Sequence, residues 1–327
     1  MIYVRLRELT PGALLCFFIG LVAAFLGKQY GAPQMLFALL LGMGLGFLDK
    51  SPTYRQGIEF SSRNILRIGV ALLGLRITFG DIANFSFDIL GWIAGGILLS
   101  LIIGVFLAKL FRSSRAFGII SGGSVGICGA SAALAISSVL PNNRENENAT
   151  IVTVVTVTTL STIAMILYPL VADQLGFDDF QSGLFRGGTI HDVAQVVGAG
   201  YGMNTNTGDT ATIVKLFRVA LLVPVVLIIA LTITGRSDTP TGNVSFPYFL
   251  VAFCFFVAVN SLGAIPQTLI QTTNVISSTF LVTAIAALGV KTSLQDIARY
   301  GIRSVALIIV ETTLLAAWVI AGIHWII

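Results

Sequence analysis

Blocks of apolar residues, each followed by a short polar stretch, fill this chain. They predict eleven helices, over residues 11–27, 33–48, 62–80, 88–111, 116–140, 148–172, 180–202, 209–234, 246–264, 267–290 and 302–326. Crossing a bilayer takes about 20 predominantly apolar residues. The polar stretches are short, so the pattern predicts one transmembrane domain over 1–327 with ten or eleven helices. The expected fold is all-α, a polytopic membrane helical bundle.

Two of the blocks are interrupted. Ser121-Gly122-Gly123-Ser124-Val125-Gly126 and Arg186-Gly187-Gly188-Thr189-Ile190-His191-Asp192 share a Gly-Gly-hydroxyl core. Each glycine weakens a helix interior by roughly 1 kcal/mol relative to alanine. An interrupted helix survives in a membrane where its freed backbone groups line protein or a cavity. Half-helix ends near the bilayer midplane are also how many secondary transporters hold small ions. Both blocks are therefore expected to be discontinuous helices around an ionic or polyatomic substrate.

Comparison of the chain with itself reveals a repeat. Residues Ala71-Leu72-Leu73-Gly74-Leu75-Arg76 and Asp81-Ile82 correspond to Ala286-Ala287-Leu288-Gly289-Val290-Lys291 and Asp296-Ile297. Each copy has an apolar helix end, a glycine, a cation two residues later and Asp-Ile five residues beyond it. The first copy ends on the outer side and the second on the inner side, the inverted topology of an alternating-access carrier. The glycine-broken blocks, two crossings apart, run in the same direction unless 180–202 does not cross fully.

Composition agrees with a membrane protein. Hydrophobic residues make up 55% of the 327 and charged residues 10%, with mean hydropathy +0.91, against about 25% charged in soluble domains. The first block lacks a small-residue cleavage site and reads as a retained helix. With the amino terminus cytoplasmic, Arg5, Arg7, Lys50, Arg55, Arg63, Lys109, Arg112, Arg115, Arg236, Lys291, Arg299 and Arg303 lie inside and only Lys28 and Arg144 outside. That asymmetry follows the positive-inside rule. The net charge of +4 is spread over loops, so no nucleic-acid partner is expected. Cys16, Cys128 and Cys254 lie in apolar runs without metal-ligand spacing and read as buried hydrophobes; Cys128 follows the first break.

The polar residues of the apolar blocks are the candidate chemistry. Around the first break, Gly123, Ser124, Cys128 and Ser131 offer backbone amides and side-chain donors to an anion, although small residues also serve tight helix packing. The second break carries Arg186, Thr189, His191 and Asp192, with Gln195 one turn beyond His191 on the same face. Ionised groups inside a membrane usually face a cavity and one another, and imidazole titrates near neutral pH. The plainer alternative is an Arg186–Asp192 pair with a satisfied histidine. Lys215 and Arg218 share one face of the next block and repel each other unless an anion or carboxylate intervenes. Asp192, Glu311 or bound substrate would serve. The polar core is net positive, which favours an anionic substrate; Glu311, followed by Thr312 and Thr313, is a candidate proton site. His324, beside Trp325, reads as an interfacial anchor.

The segments Gly-Ile-Cys-Gly-Ala-Ser-Ala (126–132), Gly-Gly-Thr-Ile-His-Asp-Val-Ala-Gln-Val-Val-Gly-Ala-Gly (187–200) and Lys-Leu-Phe-Arg-Val (215–219) resemble the sulfate exporter family of bacterial membrane proteins. The resemblance covers essentially the whole chain. It implies a relative of the cation:proton antiporter and bile-acid transporter folds, with inverted repeats and crossed discontinuous helices, and export of sulfate or related anions. Phe217 departs from the family pattern, where a threonine is expected, which puts one hydroxyl contact in doubt.

The leading expectation is a secondary transporter of sulfate, sulfite or an organosulfonate, exporting it with protons or sodium as coupling ion. Gly123, Ser124, Cys128, Ser131, Arg186, Thr189, Gln195, Lys215 and Arg218 would bind substrate; His191, Asp192 and Glu311 would couple. The rival is a sodium/proton antiporter, which usually needs an embedded carboxylate pair, whereas Asp178-Asp179 lies in a loop. A passive channel fits the repeat and the breaks less well. With two histidines and no His-Glu-x-x-His pattern, an enzyme is not expected, nor is a metal or cofactor. Membrane lipid is a further partner, and a homodimer is left open.

Overall fold

In hydrocarbon every backbone N–H and C=O must be paired within its own segment, so apolar blocks of this length fold as helices. The computed structural model describes residues 2–31, 33–83, 85–141, 143–233, 248–263, 265–292 and 301–326, and among them there is no strand. Among the described residues, six helical stretches are long and apolar enough to cross a membrane: Glu8–Tyr30, Phe87–Leu110, Arg144–Gln174, Thr205–Thr232, Gln267–Lys291 and Ile302–Ile326. The protein is an all-α, multi-pass integral membrane protein.

The helices are α1 (Ile2–Tyr30), α2 (Gln34–Gly44), α3 (Pro52–Phe60), α4 (Leu66–Leu73), α5 (Phe79–Ala83), α6 (Phe87–Leu110), α7 (Arg115–Gly126), α8 (Ala130–Ser137) and α9 (Arg144–Gln174). They continue with α10 (Asp179–Thr189), α11 (Val193–Tyr201), α12 (Thr205–Ala220), α13 (Leu222–Ile233), α14 (Tyr248–Ser261), α15 (Gln267–Lys291) and α16 (Ile302–Ile326). Both glycine-broken blocks are discontinuous, as α7–α8 and α10–α11. The block expected at 62–80 starts earlier and stops sooner. Pro52 opens α3, a π-turn over Ser61–Ile65 joins it to α4, and the helix ends at Leu73. Arg55, Gln56 and Glu59 hid its first turns from the hydropathy pattern.

The chain forms two compact units interleaved in sequence. One comprises Met1–Phe85, Val197–Asp209 and Pro247–Ser293; the other comprises Ser86–Val196, Thr210–Phe246 and Leu294–Ile327.

In the first unit, glycines let backbones meet: Gly12 lies against Gly57 between α1 and α3, and Gly42 against Gly289 between α2 and α15. Small residues of this kind drive helix association in lipid. Along α15, Gly46 lies beside Val290, whereas Gly69 packs on Phe280 and Leu281 and accepts a 2.7 Å hydrogen bond from Ser277. The α3–α4 run is therefore antiparallel to α15. The two copies of the repeat sit at opposite ends of this pair, as inversion requires; residues 293–297 of the second copy lie outside the described residues. The unit also holds an ion pair, Arg76 Nε to Asp209 Oδ2 at 3.2 Å. Asp209 also accepts from the Tyr201 hydroxyl, and the Arg76 guanidinium lies 5.4 Å from the Tyr201 ring centroid.

In the second unit, Gly118 and Gly122 on α7, one turn apart, meet the α6 backbone at Gly104 and Ser100. Helix α16 is pinned to α6 by Trp92 and Trp318, whose rings stack at 4.1 Å. Each indole N–H donates to the other residue's carbonyl, at 2.9 and 3.0 Å. Helix α9 flanks α7 and α8, and this packing surrounds the two breaks.

Candidate functional site

Helix α7 stops because three residues cannot continue it. Ile127 leaves helical geometry at φ −113°, ψ −82°, Cys128 follows, and Gly129 takes φ 63°, ψ −129°, a conformation costly for any residue with a Cβ. Ser124 closes the break from both sides: its carbonyl accepts from Gly129 N at 2.8 Å, and its hydroxyl donates to Gly129 O at 2.7 Å. Helix α8 then starts at Ala130 with no side-chain cap.

Helix α10 begins with a capping box, Asp178 accepting from Gln181 N and the Gln181 side chain accepting from Asp178 N. It ends at Thr189, whose hydroxyl returns to Phe185 O. Ile190 is extended at φ −63°, ψ 134°. Asp192 Oδ1 then caps the new helix by accepting from Ala194 N at 3.2 Å, while its own amide donates to Ser161 Oγ of α9 at 3.1 Å.

The carboxyl-terminal ends of α7 and α10 meet around Lys215 and Arg218 of α12. Arg218 donates from Nε to Gly126 O (2.9 Å), from Nη2 to Val125 O (2.8 Å), and from Nη1 to Gly187 O (2.9 Å) and Ile190 O (3.3 Å). Lys215 Nζ donates to Ile127 O at 2.7 Å and Ile190 O at 3.0 Å. Both side chains are almost wholly buried, at 0% and 1% exposure. A helix carboxyl terminus carries about half a negative charge on its unpaired carbonyls. The two cations together thus face about one unit of negative charge drawn from two half-helices. Main-chain carbonyls, rather than a carboxylate alone, are what lies between them.

His191 bridges the second break to the first and to α16. Its Nδ1 lies 3.3 Å from Val125 O and its Nε2 3.0 Å from Thr312 Oγ1. Val125 O can only accept, so that bond needs a proton on Nδ1. Thr312, which donates to Ile308 O at 2.8 Å, can instead turn its proton toward Nε2 or accept from it. The ring is therefore held in either protonation state. One residue before Thr312, Glu311 Oε1 accepts from Ser121 Oγ of α7 at 2.8 Å, while its buried Oε2 has no hydrogen-bond partner.

Of the sequence candidates, Ser124, Cys128, Thr189, His191, Asp192, Lys215, Arg218 and Glu311 belong to this arrangement. Ser124, Lys215 and Arg218 act on main-chain groups. Gly123 packs against Ile136 of α8, Ser131 is exposed, and Arg186 donates from Nη1 to Ser182 O at 2.9 Å. Gln195 is 1% exposed, and neither end of its amide has a partner. Ser161 and Thr312 were not anticipated; Thr312 was visible only as a neighbour of Glu311, and nothing in the pattern marks Ser161 among the hydroxyls of α9.

These features define a class, polytopic helical membrane proteins with paired discontinuous helices tied by buried cations. The family described as Conserved hypothetical protein 698 matches residues 11–308, and this chain belongs to that family. Its relatives include a UPF0324 membrane protein of Chlorobaculum tepidum, 47% identical over 98% of this chain and 91% of the relative. The UPF0324 membrane protein TauZ of Paracoccus pantotrophus is 44% identical over 98% of this chain and 96% of its own. A further UPF0324 membrane protein, from Rhizobium meliloti, is 41% identical over 99% and 95%. No solved structure matches the chain.

Proposed function

We propose that this protein is a secondary active transporter of a small anion of the sulfate, sulfite or organosulfonate class, a carrier rather than an enzyme. The observation that carries the reading is the pair of broken helices whose carboxyl ends are bound by Lys215 and Arg218. Two cations face about one unit of negative dipole charge. The amino ends of α8 and α11 add roughly one positive unit, which the Asp192 carboxylate offsets. With Glu311 protonated the surplus is about one positive charge, which suits an anion; an ionised Glu311 would cancel it. His191, held by Val125 and Thr312, and Glu311, with one oxygen unpartnered, are the groups available to carry a coupling proton. The loop charges favour a cytoplasmic amino terminus, and export across a bacterial inner membrane is the direction that the family resemblance implies.

A sodium/proton antiporter is the competing reading. The adjacent acidic pair Asp178-Asp179 gives it little support, since Asp178 is engaged in the cap of α10. The test is uptake of labelled sulfate, sulfite and taurine into proteoliposomes, with and without pH and sodium gradients. Gradient-dependent flux of one of these anions is expected. Sodium-dependent proton movement without anion flux would replace this reading with the competing one.

A further inference from the structure

Three buried polar side chains near the breaks have no partner: the hydroxyls of Thr153 and Thr156 on α9, and both amide atoms of Gln195 on α11. Their exposures are 0%, 0% and 1%. Buried polar groups are nearly always hydrogen-bonded, and leaving them bare costs free energy that a valine or leucine would avoid. The two threonines also depart from their neighbours. Thr150, Thr158, Thr159 and Thr162 of the same helix each donate back to the carbonyl four residues earlier, the usual habit of a helical threonine. Thr153 and Thr156 do not.

Helix α9, which carries the two threonines, packs on α8 and is bonded to the second break, from which α11 and Gln195 continue. Helix α9 is anchored to α8 by Thr150 Oγ1–Ser137 Oγ at 2.7 Å and to the second break by Ser161 Oγ, which accepts from Asp192 N. Thr153 and Thr156 lie between those anchors, alongside α8. Gln195 lies in the first turn of α11, three residues after Asp192. The amino-terminal turn of α8 is the neighbouring main-chain feature. Its first ladder bond is Ala133 N to Gly129 O at 3.1 Å, so the amides of Ala130, Ser131 and Ala132 stand outside the ladder; Gly129 provides no side-chain cap, and only the Ala132 amide meets a side chain, the Cys128 sulfur. Such amides attract anions.

We propose that Thr153, Thr156 and Gln195, with the first-turn amides of α8, bind the oxygens of the transported anion, resting on the reading above that an anion is carried. Several neutral, directional donors spread over three helices suit an oxyanion, whose oxygens point several ways, better than a spherical halide. Binding then relies on dipoles, while Lys215 and Arg218 hold the half-helices in place.

The test uses full-length protein in proteoliposomes, with sulfate, sulfite, methanesulfonate and chloride as probes, and thermal denaturation in detergent without added oxyanion. Thr156→Val and Gln195→Leu are each expected to raise the KM of the transported oxyanion about ten-fold, with ligand-free thermal stability unchanged or raised. Thr156→Ser, which keeps the hydroxyl, should stay within about two-fold of the parent. Thr158→Val, which removes a back-bonded hydroxyl, should not change KM. Oxyanion flux by the parent with unaltered KM in Thr156→Val and Gln195→Leu overturns this inference and leaves the transporter reading standing. Loss of ligand-free stability at unchanged KM overturns it too. A parent that moves none of these oxyanions, nor taurine, overturns the transporter reading itself.

Discussion

The two broken helices end alike and restart differently. The carboxyl ends of α7 and α10 are tied to the same pair of side chains, Lys215 and Arg218. On the amino side, α11 carries its own anion, Asp192, bonded to Ala194 N, whereas α8 starts at Gly129 with no side-chain cap. A fixed carboxylate at one helix start neutralises it permanently; an uncapped start keeps its partial positive charge for something that comes and goes. The first break is also built around a glycine in the positive-φ region, the second from ordinary extended backbone plus charged side chains. On the proposed transporter reading, the small-residue break is thus the better place for exchangeable substrate, and the histidine–aspartate break for fixed charge and proton chemistry.

The largest effect should come from removing what the breaks share. Arg218→Met leaves carbonyls of both half-helices without their charged donor, and a loss of about 3–5 kcal/mol is expected, read as a collapse of thermal stability in detergent. If only transport fell and stability held, the tie between the breaks would not be structural. Next in size, Gly129→Ala forces a Cβ into a left-handed conformation and toward His191, 3.4 Å away. It should cost roughly 1–3 kcal/mol in the same assay, whereas Ile190→Val at the second break should cost only about 0.5–1.5 kcal/mol.

Smaller effects sharpen the contrast. Ser124→Ala removes the hydroxyl that closes the first break and is expected to lower stability by about 1 kcal/mol. Asp192→Asn keeps a capping oxygen on α11 but discharges it, so stability should fall by roughly 0.5 kcal/mol while the pH dependence of transport changes. Equal stability losses with unchanged pH dependence would erase the distinction between a backbone break and a charged one.

Much of this was readable beforehand because its causes are local. Gly122-Gly123 and Gly187-Gly188 announced the interruptions, and the repeated Gly74 and Gly289 marked two helix ends that lie at opposite ends of an antiparallel pair. Gly122 itself serves mainly to let α7 meet the α6 backbone at Ser100. The partners of Lys215 and Arg218 were not readable, because they are main-chain carbonyls that carry no side-chain signature and lie 25 to 93 residues away. For the same reason a sequence pattern favoured a carboxylate or substrate between the cations. Thr153 and Thr156 were equally hidden: among the many hydroxyls of α9, only hydrogen-bonding partners single them out. The early start of α3 escaped because its first turns are polar.

The central claim is that the buried cations hold the half-helix ends rather than wait for substrate. Thermal denaturation of Lys215→Met, in detergent free of sulfate and other oxyanions, tests it most directly. The account predicts a fall of roughly 5–10 °C from the lost donor to Ile127 O and Ile190 O. A melting temperature equal to that of the parent without anion, with only the anion-induced stabilisation lost, would contradict it.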